Sequence, residues 1–212
     1  MSATKSHHRD LRRRRRDRRH SCWEHLLVAP LWVAYKANLG TLLRTCDAVG
    51  ACIAVPSSTH YREALAVGDT LRSHRRPCIH WLATGKDRWI ADQRSGGWRI
   101  LAVELAEGAT PLPLLEPAWQ KTVVLLGHER EGIPHDLVES ADACVEIPMV
   151  GRGASLNVAV AGSLVLYRLA GWREPRRREW ASRRSTPHWA TTRRQEHPAT
   201  QRLRVDPRGR KT

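Results

Sequence analysis

Apolar residues in this chain cluster into short runs of strand length, separated by segments whose apolar positions recur with a helical period. Leu26–Val33, Ala51–Val55, Ile79–Leu82, Ile100–Leu105, Val123–Leu126 and Val145–Ile147 are nearly continuous apolar runs, the pattern of strands buried on both faces rather than one. Between them, Thr41–Val49 and about Tyr61–Val67 carry helical spacing, and Asp87–Gln93 and His135–Ser140 predict short helices. Strands alternating with helices predict an α/β fold, a mostly parallel sheet flanked by helices, with its chemistry at the strand ends. The last element predicted is a helix over Ser155–Leu169, with Ser155 or Ala154 near its start and Gly171 as its stop. Leu156, Val160, Leu164 and Tyr167 share one face while Val158, Val165 and Leu169 crowd others. Such a helix is covered on more than one side, so it is either central or part of a dimer interface.

Composition narrows the class. The chain has 212 residues, one core plus appendages at roughly 150 residues per domain. With 41% hydrophobic and 27% charged residues, it can pack a core and does not resemble a membrane protein. Its net charge of +15 suits a polyanion-binding protein, but the charge is not spread evenly. Residues 1–22 hold nine Lys and Arg against two acids, a net +7. Residues 23–172 hold 14 against 15, a net −1, and residues 173–212 hold 13 against four, a net +9. The domain reading is therefore a basic tail over 1–22, a catalytic domain over 23–172 and a second basic tail over 173–212. The first tail has too little apolar surface to offset chain entropy and is expected to be disordered when free. In the second, Trp180 and Trp189 stand among Arg176–Arg178, Arg183, Arg184, Arg193 and Arg194. That mixture can grip phosphates and stack on RNA bases, although an arginine-biased coding composition produces something similar.

The arginine run before Leu26–Tyr35 imitates an export signal. Glu24, His25 and Pro30 interrupt it and a polar motif follows at Asn38, so a buried first strand is the better reading. Cys22, Cys46, Cys52, Cys78 and Cys144 are odd in number, widely spread and without a C-x-x-C pair. They indicate a reduced, cytoplasmic chain with no structural metal.

Three segments carry candidate chemistry. In Asn38-Leu-Gly-Thr-Leu-Leu-Arg44-Thr-Cys-Asp-Ala-Val-Gly50, an Asn and a Gly stand at a strand-to-helix turn with Arg44 further along. Backbone N–H groups and a guanidinium there could hold phosphate and ribose oxygens; a capped helix with a surface arginine is the plainer alternative. In Val123–Leu126 followed by Gly127-His-Glu129-Arg-Glu-Gly132-Ile-Pro134, a buried strand runs into an acidic loop between glycines. The third segment, Ile147-Pro-Met-Val-Gly-Arg-Gly-Ala-Ser155-Leu-Asn157, is a strand end, a glycine loop and the head of the apolar helix. Ser155 can cap that helix, whereas Asn157 is not needed to form it. None of the three fits a Walker loop or a dinucleotide-binding fingerprint.

In this order and spacing the segments resemble the SpoU/TrmH branch of the SPOUT RNA methyltransferases. The resemblance runs from about Leu26 to Gly171, and the last motif, I-P-M-x-G-x-x-x-S-L-N-V-x-V-A, is its most specific part. It implies an S-adenosylmethionine-dependent 2′-O-ribose methyltransferase built as a homodimer around a C-terminal trefoil knot, a feature that periodicity does not show. By motif position it places the cofactor at Val103, Gly127, Ile147 and Leu156 with Ser155 close by. It also makes Arg44 the leading catalytic residue, with Asn38, Glu129, Ser155 and Asn157 completing the site. A ribose hydroxyl is a poor nucleophile, so transfer needs in-line alignment and stabilisation of the growing alkoxide charge. Arg44 suits a clamp on RNA phosphate and a partner for that charge, because a guanidinium is not normally deprotonated. Glu129 is read as orienting Arg44 or an RNA hydroxyl across the dimer interface, and Asn157 a loop carbonyl or the ribose, with loop bracing as the alternative for both. His128 is read as incidental, and Trp32, Trp81, Trp98 and Trp119 as core or rim packing rather than base platforms. The expected partner is RNA: tRNA first, because no separate folded N-terminal RNA-binding domain is evident, and 23S rRNA second. A non-catalytic RNA-binding protein that retains the fold is the reading from another class.

Overall fold

The computed structural model describes residues 25–68 and 78–171; both basic tails lie outside the described residues. Seven strands, β1 (Leu26–Ala29), β2 (Cys52–Pro56), β3 (Ile79–Leu82), β4 (Arg99–Val103), β5 (Thr110–Pro111), β6 (Thr122–Leu125) and β7 (Ala143–Glu146), form one sheet in the order β3-β2-β1-β6-β4-β7-β5. Every pairing is parallel. Among the described residues the α-helices are α1 (Lys36–Val49), α2 (Thr59–Gly68), α3 (Lys86–Ser95), α4 (His135–Ser140) and α5 (Val158–Leu169).

The apolar runs are continuous because both sheet faces are covered. Leu26, Val28, Ile53, Val55, Leu101, Val124 and Val145 point to one side and pack with Leu39, Leu42 and Leu43 of α1 and Val165, Leu166 and Leu169 of α5. Their neighbours Leu27, Ala29, Cys52, Ala54, Ile100, Ala102, Val123 and Leu125 point to the other and pack with Trp89 and Ile90 of α3 and Ile133 after β6. Successive side chains alternate across a strand, so each run supplies two cores. Burying an aliphatic side chain of this size stabilises the fold by about 1.5–3 kcal/mol.

Strand order places the functional edge. The chain steps outward from β1 to β2 and β3, then returns across the sheet to β4 beyond β6. The loops leaving β1 and β6 therefore diverge at the C-terminal edge, the usual site of a ligand crevice in an open parallel sheet.

Several predicted boundaries shift for identifiable reasons. The first strand ends at Ala29 rather than Val33; Pro30 cannot donate to a ladder, and residues 30–35 become a wall of the site instead. α1 starts at Lys36, five residues early, so Asn38 lies inside its first turn, buried, rather than in the turn before it. β4 stops at Val103 and β7 at Glu146, which frees Glu104, Leu105 and Ile147 to line the crevice. α5 begins at Val158, not Ser155. The two-residue β5 was too short to leave a periodic signal.

Candidate active site

The loop after β6 is folded back by its own backbone. His128 and Gly132 form a two-way antiparallel bridge, each N–H donating to the other's carbonyl at 2.9 Å. The Nδ1 of His128 accepts from the Arg130 and Glu131 amides at 3.2 and 3.4 Å. Gly127 faces this turn so closely that a Cβ there would lie 2.2 Å from the Gly132 carbonyl carbon, and Gly132 itself has φ 70°. Only glycines permit this turn, and its effect is to send Glu129 back towards β1.

The Glu129 carboxylate accepts three hydrogen bonds, from the Ala34 amide at 2.9 Å, the Tyr35 amide at 3.0 Å and Asn38 Nδ2 at 2.7 Å. Burial raises its pKa, but these donors outweigh burial and hold the carboxyl below its ordinary value. Asn38 Oδ1 in turn accepts from Asn157 Nδ2 at 3.0 Å. The Oδ1 of Asn157 accepts from the Ala159 and Val160 amides at 2.9 and 3.2 Å, capping α5. One chain of hydrogen bonds thus links all three motifs: Glu129, Asn38, Asn157 and the head of α5. The Tyr61 hydroxyl pins the same wall by donating to the Leu31 carbonyl at 2.8 Å, and burial together with the nearby Glu129 charge pushes its pKa up to about 12.

Beneath this network lies a cleft of about 840 Å³, within the range of small-molecule sites. All five positions expected to contact a cofactor, Val103, Gly127, Ile147, Ser155 and Leu156, line it, as do Asn38, Glu129 and Asn157. The sequence reading missed Glu104 and Glu146, which bring carboxylates to the same lining. Glu104 is held by the Ile133 amide at 3.2 Å and the Leu105 amide at 3.0 Å. An acid inside the apolar run of a parallel strand, near its C-terminal end, was the available signal. Apolar walls beside carboxylates suit a ligand that is partly flat and apolar and partly cationic, which fits a sulfonium-bearing nucleoside.

Three expectations need correction. Arg44 does not line the cleft of its own chain; it sits on the exposed face of α1 and forms no hydrogen bond or ion pair with the described residues. The helix cap is Asn157, not Ser155, because the helix starts three residues later than its apolar pattern implied. Ser155 is therefore left exposed in the cleft lining. Within one chain Glu129 orients Asn38 and the 34–35 backbone rather than Arg44, and Asn157 contacts Asn38 rather than a loop carbonyl. His128, expected to be incidental, braces the loop through Nδ1.

Among the described residues Cys46, Cys52, Cys78 and Cys144 form no disulfide, and burial pushes the pKa of the Cys46 thiol far up. Among the described residues no three His, Cys, Asp or Glu side chains cluster as metal ligands, and no helix is long and apolar enough to cross a membrane.

The chain is similar to known proteins. The chain is 32% identical over 162 residues to mouse tRNA (guanosine(18)-2′-O)-methyltransferase TARBP1, covering 71% of this chain and 10% of that protein. It is 31% identical over 137 residues to the Bacillus subtilis 23S rRNA (guanosine(2553)-2′-O)-methyltransferase RlmP, covering 63% and 53%. It thus spans a tenth of the first relative and about half of the second. Among solved structures, the AdoMet-bound rRNA methyltransferase of Sinorhizobium meliloti superposes with a TM-score of 0.58 at 30% identity, over 73% of this chain and 58% of that one. The model of the SpoU rRNA Methylase family matches residues 26–167, the stretch that carries the parallel sheet, the folded-back loop and the capped head of α5, and the chain belongs to that family.

Proposed function

We propose that this chain transfers a methyl group from S-adenosylmethionine to a ribose 2′-hydroxyl of RNA, with tRNA the first candidate. The observation that carries this reading is the Glu129–Asn38–Asn157 network closing over a cleft lined by every position expected to hold the donor. The AdoMet-bound relative of known structure supports the donor, and the mouse tRNA enzyme supports the acceptor. Similarity to the Bacillus subtilis rRNA enzyme favours 23S rRNA as the second reading.

When bound, the donor supplies a methyl group made electrophilic by a sulfonium. The chain's own residues position and polarise. Val103, Leu126, Ile147 and Leu156 exclude water from the cleft, and Glu104 and Glu146 complement a cation in it. Glu129, saturated by three donors and with a lowered pKa, is a weak base; its task is to fix the 34–38 segment. Ser155, the remaining N–H of Asn157 and the Arg130 guanidinium are polar groups of the lining that can meet ribose oxygens.

Arg44 enters from a second copy of the chain. Val160, Leu164 and Tyr167 of α5, with Leu156 just before it, leave an apolar stripe that is 46%, 42%, 47% and 37% exposed. A stripe of this kind is normally covered. Arg44 adjoins Thr45, whose hydroxyl lies 2.8 Å from that of Ser163 on α5. A homodimer across the stripe then lets Arg44 of one copy grip the phosphate beside the ribose held by the other. The tails over 1–22 and 173–212 supply long-range attraction for RNA around a catalytic domain of net charge −1.

Calorimetry with S-adenosylmethionine, followed by mass spectrometry of nuclease-digested tRNA and 23S rRNA after incubation with the full chain and donor, tests the proposal. Donor binding with one new ribose methylation is the expected result. Donor binding without methylation of either RNA points to a non-catalytic RNA-binding protein, and no donor binding overturns the reading altogether.

A further inference from the structure

Glu104 stands one residue beyond β4, and its backbone is fixed at the C-terminal edge of the sheet. Its amide donates to the Val145 carbonyl at 3.1 Å, and its carbonyl accepts from Cys144 Sγ at 3.4 Å. The side chain is as constrained as the backbone. Oε1 accepts from the Leu105 amide at 3.0 Å and Oε2 from the Ile133 amide at 3.2 Å. Oε2 also packs against Gly132, where any side chain would collide with it. Each oxygen therefore holds one backbone donor, and a carboxylate oxygen accepts two. The half-buried group lines the cleft with one acceptor position remaining on each oxygen. Glu146 of the same lining differs: its carboxylate forms no hydrogen bond or ion pair with the described residues, so nothing there sets its direction.

We infer that Glu104 accepts the 2′,3′-diol of the methyl donor's own ribose, the sugar of S-adenosylmethionine and not that of the RNA. The ligand's identity rests on the function proposed above; the part of it that Glu104 takes is chosen by the carboxylate. Two acceptor positions held at a fixed spacing suit two hydrogen-bond donors on neighbouring atoms, because no side-chain freedom is lost when they meet. The hydroxyls on C2′ and C3′ are such a pair. The adenine amino group lies beside ring nitrogens that are themselves acceptors, so a carboxylate facing that edge meets lone pairs as well. The methionine ammonium gathers its N–H groups on one atom and gains most from a carboxylate able to turn towards it, which is Glu146. Attraction to the sulfonium acts over a longer range and requires no particular oxygen. Dinucleotide-binding sheets place an acid on a ribose hydroxyl in the same way.

Calorimetry on the full chain with S-adenosylhomocysteine and its 2′-deoxy and 3′-deoxy analogues tests the assignment, since the demethylated product carries the same sugar and binds without RNA. Loss of either hydroxyl should weaken binding about tenfold or more, as for a hydrogen bond to a charged group. Glu104→Gln replaces one acceptor of the pair by an N–H group and should shrink the gap between S-adenosylhomocysteine and the analogues severalfold, whereas Glu146→Gln should preserve it. Equal binding of all three compounds by the unaltered chain overturns the inference, whether or not any variant folds. An undiminished gap in folded Glu104→Gln also overturns it, and is the result expected if Glu104 only braces the turn at Gly132 and Ile133. Should that variant not fold, Glu104→Asp, which withdraws the carboxylate by one methylene, must shrink the gap in its place. S-adenosylhomocysteine bound without regard to its hydroxyls leaves the methyl-transfer reading standing. A chain that binds neither it nor S-adenosylmethionine overturns both.

Discussion

At the scale of single residues, Glu129 matters most because one carboxylate serves three donors on another segment. Glu129→Gln keeps the size but turns an N–H group towards at least one of those donors, so an amide of the 34–35 wall loses its acceptor, at a cost of about 1–3 kcal/mol. The sign of the pH effect follows from the lowered folded-state pKa. The charge stabilises the fold above the ordinary value of 4.5, and that contribution is lost as the pH falls through the lower folded value. Urea titrations of both proteins should therefore show a constant gap above that value, narrowing on acidification. A gap independent of pH would assign the effect to shape instead of charge. Arg44→Lys keeps the charge and discards the two-pronged donor geometry. RNA methylation should fall about 100-fold or more, as when a single donor to a developing anion is removed, with donor affinity unchanged; near-normal turnover would refute the clamp. The residue types at Asn38, Arg44, Glu129, Ser155 and Asn157 were visible in the sequence. Their partners were not, since a hydrogen bond between positions 38 and 157 has no local signature.

Among the elements, the strands were legible because a two-sided buried strand needs an unbroken apolar run, and the cores on both faces account for each run found. Helix starts were less so. Apolar periodicity marks where a helix is buried, whereas its first turn is set by whichever side chain reaches the free amides, and at α5 that is Asn157. The same helix offers the sharpest test of assembly. Leu164, near the middle of the exposed stripe, does not line the cleft. Leu164→Glu should convert a dimer to a monomer in sedimentation and abolish methyl transfer while leaving S-adenosylmethionine binding nearly intact. An active monomer would show that one chain completes its own site.

For the whole molecule, the charge distribution separates chemistry from attraction. Each phosphate neutralised by a tail contributes about 0.7–0.9 to the slope of log affinity against log salt. Deleting residues 1–22 and 173–212 should flatten that slope for tRNA binding without changing donor affinity in calorimetry; an unaltered slope would place the RNA-binding charge within residues 23–172. The hydrogen-bonded brace has a consequence for how the chain comes to life. Glu129 reaches back 91 residues to Asn38, and Asn157 reaches back 119, so its closure must wait for distant segments to meet, and such long-range contacts form slowly. During synthesis from the N-terminus, a nascent chain ending before Asn157 can assemble most of its sheet yet lacks this clasp, and enzymatic competence must wait until α5 has left the ribosome.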